Sequence, residues 1–281
     1  MRDGQDMITS SSNPQVRKII QLNTKTKARR QEGLFVAEGR KMLREAPGPM
    51  LQRVYASETF IREEENRSLL QQLKDQGGED MVVCVRDDVF RQMSDTVTPQ
   101  GILALLRTPR YLPEDLCPDQ DEPGKGSRYL VLENIQDPGN MGTIFRTAEA
   151  AGIRGIFLTP DCVDVTSPKV IRGTMGAVYR MPWCILPDVP AAKRLFQPRC
   201  IPCYAAAGSA AEDYDRPDYT AGCAFFIGNE GNGLSPEALA AADRRIRIPM
   251  EGLTESLNAA VAAGILMYEA FRQVRHMTAD R

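Results

Sequence analysis

A chain of 281 residues, 42% hydrophobic and 26% charged, has room for two domains with separate cores. It contains no apolar run near the roughly 20 residues that cross a bilayer, and its first residues lack a signal-peptide core, so the expected compartment is the cytoplasm. A single histidine, His276, excludes histidine triads and multi-histidine metal sites, and a net charge of −2 is not that of a strongly basic nucleic-acid binder.

The charge is unevenly spread. Residues 1–45 hold ten Lys or Arg against five Asp or Glu, most densely in K-T-K-A-R-R at 25–30. Such a run is either a solvated helix face or a phosphate-contacting patch whose binding weakens as salt rises. Segment 15–31 is polar and basic, with Val16, Ile19, Ile20 and Leu22 too sparse for a broad apolar face. The pattern then predicts a strand at 34–36, a helix at 39–45, a strand at 51–56, helical material over 57–76 and a strand at 81–85. A short helix at 87–93 and a strand at 100–106 follow. This alternation predicts a small α/β domain over 1–107. Residues 108–127, rich in Pro, Gly and acidic side chains, are expected to be an interdomain linker.

A second alternation occupies 128–281. Strands are expected at 129–132, 156–158, 201–206, 224–227 and 245–249. Helices are expected at 140–151, 169–175, 235–243 and from about Leu257 to Val274. The expected fold is α/β, a mostly parallel sheet with ligand-binding groups at the strand C-termini. Seven cysteines in a chain of this size read as reduced thiols, and Cys200-x-x-Cys203 lacks a second pair at zinc spacing, so no metal is expected.

Three polar, turn-rich segments stand at the ends of apolar runs. In N-I-Q-D-P-G-N-M-G-T-I-F-R (134–146), Asn140 is a natural helix N-cap and Arg146 lies six residues on. A helix N-terminus with an Arg fork suits a phosphate or other anion, although a capped helix with a surface Arg reads equally well. In G-N-E-G-N-G (228–233) a carboxylate, Glu230, sits among glycines that allow close backbone approach to a flat ligand. It is neither the dinucleotide fingerprint nor a P-loop. In S-L-N-A-A-V-A-A-G (256–264), Ser256 and Asn258 favour capping or ligand contact ahead of a small-residue helix.

Together these segments resemble the signature motifs of the SpoU-type branch of the SPOUT RNA methyltransferases, the TrmH-like ribose 2′-O-methyltransferases. R-G-T-M-G-A (172–177) fits as well, and 7–106, with F-V-A-E-G (35–39) and Q-G-I (100–102), resembles the L30e-like substrate-binding domain often joined to them. The resemblance implies a parallel-sheet domain with a deep trefoil knot, an exception to the rule that chains do not knot. It further implies an obligate homodimer with its active site near the subunit interface, and bound S-adenosylmethionine. By position, Gly228, Ile248 and Leu257 correspond to cofactor contacts, and Asn140, Arg146, Glu230, Ser256 and Asn258 to substrate and catalytic positions.

Because a free guanidinium stays protonated, the role expected for Arg146 is electrostatic: holding the adjacent phosphate and stabilising the developing alkoxide. The expected substrate is RNA, ribosomal rather than transfer RNA given the extra N-terminal domain. A transfer-RNA methyltransferase or a non-catalytic RNA-binding factor on the same fold are the alternatives. A Rossmann dehydrogenase is disfavoured by its missing glycine fingerprint.

Overall fold

The computed structural model describes residues 7–118 and 127–279. In chain order its first elements are α1 (Pro14–Thr24), α2 (Thr26–Glu32), β1 (Leu34–Glu38), α3 (Arg40–Arg44), β2 (Leu51–Ser57), α4 (Glu58–Arg62), α5 (Arg67–Gly77), β3 (Val82–Val85), α6 (Asp87–Met93) and β4 (Ile102–Arg107). There follow α7 (Pro113–Leu116), β5 (Arg128–Leu132), α8 (Pro138–Ala150), β6 (Gly155–Leu158), α9 (Pro168–Thr174), β7 (Trp183–Ile185) and α10 (Val189–Phe196). The last are β8 (Cys203–Ala206), β9 (Glu212–Asp213), β10 (Cys223–Ile227), α11 (Pro236–Ala241), β11 (Arg244–Arg247) and α12 (Ala259–Ala279). Of the linker expected at 108–127, residues 119–126 lie outside the described residues, and α7 occupies part of the rest.

By packing, the chain forms two units. One runs to Pro109 and includes Asp164–Tyr179; the other holds Arg110–Val163 and the chain from Arg180. The first unit is built on a four-stranded sheet of order β1-β4-β2-β3, in which β4 is antiparallel to both neighbours and β2 and β3 are parallel. Its core includes Val16, Ile19 and Leu22 of α1, packed with Tyr55, Phe90 and Leu103. These three α1 positions recur every third residue, so a narrow stripe buries the helix without the broad apolar face that the sequence lacked. Segment 164–179, which follows the first motif in sequence, packs in this unit. Its α9 lies against β1, and the Phe35 and Tyr179 rings stand 6.5 Å apart.

That segment also explains one member of the basic run. Arg29 is 4% exposed. Its Nε donates to Asp164 Oδ2 at 2.8 Å and its Nη1 to the Leu22 carbonyl at 2.5 Å. Buried charge is retained where partners satisfy it in this way. Arg29 is therefore a structural residue of the first unit, not part of an exposed patch.

The second unit has a seven-stranded, wholly parallel sheet of order β7-β6-β5-β10-β8-β11-β9. Its central strands are buried along their length, as a parallel sheet covered on both faces requires. Tyr129, Phe157 and Phe196 interlock on one face, with ring centroids 5.1–6.0 Å apart. Ile144 and Phe145 of α8 are also fully buried. Two strands, β7 and β9, and helix α10 were not apparent in the sequence. The strands have only three and two residues, too few for a periodic signal. For α10 a signal existed: the Asp188 side chain caps it by accepting from Ala191 N at 2.7 Å, ahead of an apolar stripe at Val189, Ala192 and Phe196.

Candidate active site

Strand order explains where the motifs meet. Adjacent parallel strands β5 and β10 end in register at Leu132 and Ile227, so the turns that follow them are neighbours. The backbone N–H of Glu133 donates to the Ile227 carbonyl at 2.9 Å and extends this pairing. Asn134 then turns the chain with φ +53°, a left-handed conformation that Asn tolerates better than most residues. Its N–H donates to Thr159 Oγ1 at 3.0 Å.

Helix α8 starts two residues earlier than expected. Pro138 occupies its first turn and Asp137, not Asn140, is its N-cap: the Asp137 carboxylate accepts from Asn140 N at 2.8 Å. This frees the Asn140 side chain for tertiary bonds. Its Nδ2 donates to Glu230 Oε1 at 3.0 Å, and its Oδ1 accepts from Asn258 Nδ2 at 2.8 Å. Asn258 in turn caps α12, its Oδ1 accepting from Ala260 N at 2.9 Å and Val261 N at 3.3 Å. One asparagine from each of two motifs and one glutamate from the third are thus joined in a chain of hydrogen bonds.

Glu230 is bonded to the start of α8 and has no bond to Arg146. Its carboxylate accepts from the backbone N–H groups of Gln136 at 3.2 Å and Asp137 at 3.1 Å. Two protein carboxylates therefore occupy the start of α8, where the sequence suggested an anion site. Burial alone would raise the Glu230 pKa, but the bonds from Asn140, from its own N–H and from Asp137 and Gln136 outweigh it and hold the group below the ordinary glutamate value. Glu230 is an ionised anchor in this arrangement.

The glycine loop is closed against itself. Asn229 and Gly233 exchange backbone hydrogen bonds of 3.0 and 2.9 Å, and a Cβ at Gly228 would lie 2.2 Å from the Gly233 carbonyl carbon. Two residues outside the expected set hold the loop in place. Asn229 Nδ2 donates to the Asn134 carbonyl at 2.7 Å, while its Oδ1 accepts from Gly231 N at 2.9 Å and Asn232 N at 3.1 Å. The Glu133 carboxylate accepts from Ser235 N and Ser235 Oγ, both at 2.7 Å, and fixes the start of α11. An Asn two residues before Gly is a recognisable turn signal; Glu133 had none.

Behind this loop lies a cavity of about 330 Å³. Its wall includes Ile227, Leu234 and Ile246 as well as the backbone of the glycine loop and of 206–209. Among the residues expected to bind a cofactor, Gly228, Ile248 and Leu257 all line it, as do Glu230 and Ser256. Ser256 is exposed. Asn140 and Asn258 do not line it themselves: Asn140 is bonded to Glu230 and Asn258 to Asn140, and Arg146 is elsewhere. Six residues along an α-helix turn through about 240°, so Arg146 points away from Asn140, into solvent. Its side chain has no ion-pair or hydrogen-bond partner among the described residues. Neither cysteine of the Cys200-x-x-Cys203 pair lines the cavity: Cys200 is exposed, Cys203 is buried in β8, and burial pushes the Cys203 thiol pKa up to about 12.

Residues 127–268 match the model of the SpoU rRNA methylase family. The chain belongs to the SpoU rRNA methylase family. Residues 13–104 match the MRM3-like substrate-binding domain. The chain is 35% identical to an uncharacterised tRNA/rRNA methyltransferase of Synechocystis, over 95% of its own length and 93% of that protein's. It is 28% identical to the 23S rRNA (guanosine(2553)-2′-O)-methyltransferase RlmP of Bacillus subtilis, covering 93% of this chain and 97% of that one. The crystal structure of an AdoMet-bound rRNA methyltransferase from Sinorhizobium meliloti superposes with a TM-score of 0.79 at 30% identity, covering 96% and 98% of the two chains.

As a SpoU methylase the protein is an RNA methyltransferase with a SPOUT-type α/β domain, and its methyl donor is S-adenosylmethionine. The cavity fits such a donor on its own terms. Its volume lies at the lower end of the range for small-ligand sites. Apolar side chains can enclose a flat base, and a glycine loop brings backbone N–H and C=O groups up to the polar edges.

Proposed function

We propose that this SpoU methylase transfers a methyl group to a ribose 2′-hydroxyl of ribosomal RNA, working as a homodimer in the cytoplasm. The observation that carries the site assignment is the hydrogen-bonded series Glu230–Asn140–Asn258, which ties all three motifs together beside the cavity. Ribosomal RNA is favoured because RlmP, named for 23S rRNA 2′-O-methylation, is similar along 93% of this chain, and because a substrate-binding domain precedes the methylase domain. Among the described residues no helix is long and apolar enough to cross a membrane, and no cluster of His, Cys, Asp or Glu is placed to hold a metal ion.

In this reading the backbone around Gly228, Ile248 and Leu257 holds S-adenosylmethionine. Bound there, the cofactor supplies a methyl group on a sulfonium leaving group. The protein's task is alignment of the ribose oxygen. Glu230 locks the glycine loop to the start of α8. Asn140 transmits that restraint to Asn258, and Ser256 presents an exposed hydroxyl at the cavity wall. Arg146 binds the phosphate next to the target ribose and stabilises the developing alkoxide.

Arg146 also supports the homodimer. It projects from α8 away from its own Asn140, and α12, which packs against α8, exposes Val261 at 52% and Tyr268 at 47%. A second copy seated on this face would cover the apolar side chains and bring Arg146 toward the partner's cavity. The test uses the full chain with methyl-tritiated S-adenosylmethionine and unmodified rRNA. Label in one rRNA species at an alkali-resistant linkage, absent with Arg146→Ala, is the expected result. Cofactor binding without label in any RNA would refute the reading.

A further inference from the structure

The basic run at 25–30 plays no part in the site above, yet the structure leaves it poised for a partner. Lys25 lies at the elbow where α1 ends and α2 begins. Lys27 and Arg30 follow on α2, three residues apart and so on one helix face. All three are exposed, and their side chains have no ion-pair partner among the described residues.

Several other cations of the first unit are neutralised locally: Arg40 by Glu63 and Glu65, Arg67 by Glu64, Lys74 by Glu79, and Arg86 by Asp88. Lys18 of α1 is paired with Glu32. Around the elbow the sequence has no Asp or Glu from Met7 through Gln31, and the carboxylates that reach it from outside, Glu32 and Asp164, are taken by Lys18 and Arg29. Arg29, the remaining cation of the run, is directed inward to Asp164 and the Leu22 carbonyl and fixes α2 in place. The run therefore divides into one structural cation and three outward-facing ones on a rigid support.

We propose that Lys25, Lys27 and Arg30 form a contact surface for the phosphate backbone of the RNA substrate. This rests on the RNA methyltransferase reading and adds to it a binding surface on the substrate-binding unit. Point charges without base-edge geometry position the RNA rather than read its sequence. They also reconcile an overall net charge of −2 with RNA binding, since a local field is enough.

The test compares wild type with the triple variant Lys25→Gln/Lys27→Gln/Arg30→Gln and with Arg29→Gln, all as full chains. Affinity for unmodified large-subunit rRNA transcribed in vitro is measured by filter binding between about 50 and 200 mM KCl. Each lost phosphate contact removes about 0.7 to 0.9 from the slope of log K against log salt, so the triple variant should be shallower by about 2 to 3. Its affinity at the lowest salt should fall at least about tenfold. KM for RNA should rise with kcat preserved at saturating RNA, while Tm and affinity for S-adenosylmethionine stay at wild-type values. Arg29→Gln should instead lower Tm. An unchanged slope and KM in the triple variant, with a wild type that methylates rRNA, overturns the surface and leaves the function standing. A triple variant destabilised like Arg29→Gln also overturns it. A wild type with no salt-dependent RNA binding and no methyl transfer overturns both readings.

Discussion

Changing Asn140 to Asp tests the hydrogen-bonded series with almost no change in size. The substitution keeps Oδ1 as an acceptor for Asn258 but replaces the Nδ2 donor, 3.0 Å from Glu230 Oε1, with a second carboxylate oxygen. Two unit charges at that separation repel by about 1.4 kcal/mol at the dielectric of water and about 5.5 kcal/mol at an effective dielectric of 20. Glu230 is partly exposed, so the lower part of that range applies. With loss of a charge-assisted hydrogen bond, the expected cost at pH 8 is about 2–4 kcal/mol. The cheaper alternative is for the two carboxyls to share a proton, which raises one pKa in the folded variant. A raised folded pKa gives stability that is present below the ordinary carboxylate range and lost as pH rises through the raised value. The variant's deficit should therefore grow from pH 5 to pH 8. Asn140→Ala, which adds no charge, should show a deficit without that growth. In the wild type, Glu230 is held below its ordinary value, so its contribution is present above the ordinary range and lost on acidification. Urea unfolding followed by the single tryptophan, Trp183 in the second unit, reads this directly. Equal deficits for the two variants at every pH would refute the placement of Asn140 against an ionised Glu230.

Three further outcomes are expected. In Gly228→Ala the new Cβ would meet backbone, the Gly233 carbonyl carbon at 2.2 Å and Leu234 N at 2.3 Å, so the loop must move. Calorimetry should show loss of S-adenosylmethionine binding, and wild-type affinity would contradict the closed loop. Asn229→Ala removes the donor to the Asn134 carbonyl and the acceptor for two loop N–H groups, costing about 1–3 kcal/mol. Cofactor affinity should fall about tenfold or more, and no change in Kd would remove Asn229 from the loop's support. Arg146→Ala should leave stability within about 0.5 kcal/mol, since the side chain is exposed, yet lower kcat by about a hundredfold or more. A fully active variant would end the electrostatic role assigned to Arg146.

Much of the site was legible because its elements carry strong local signals. Apolar runs at 129–132 and 224–227 locate β5 and β10, and Ser235-Pro236 marks the start of α11 with Ser235 Oγ accepting from Ala238 N at 3.1 Å. What sequence reading missed depends on tertiary partners. In D-P-G-N both Asp137 and Asn140 can cap a helix; Pro138 suits the first turn only if Asp137 is the cap, and that choice frees Asn140 for Glu230. Arg29 looks like its basic neighbours until Asp164, 135 residues away, is brought beside it. Glu133 carries no local signal because its role is to hold Ser235, 102 residues on.

The most direct test of the central claim is the identity of the methylated nucleoside. Unmodified large-subunit rRNA is incubated with the full chain and methyl-labelled S-adenosylmethionine, digested to nucleosides and separated by mass spectrometry. The account predicts one 2′-O-methylated nucleoside, lost with Arg146→Ala. Methyl groups on a base, or none despite bound cofactor and bound RNA, would contradict it.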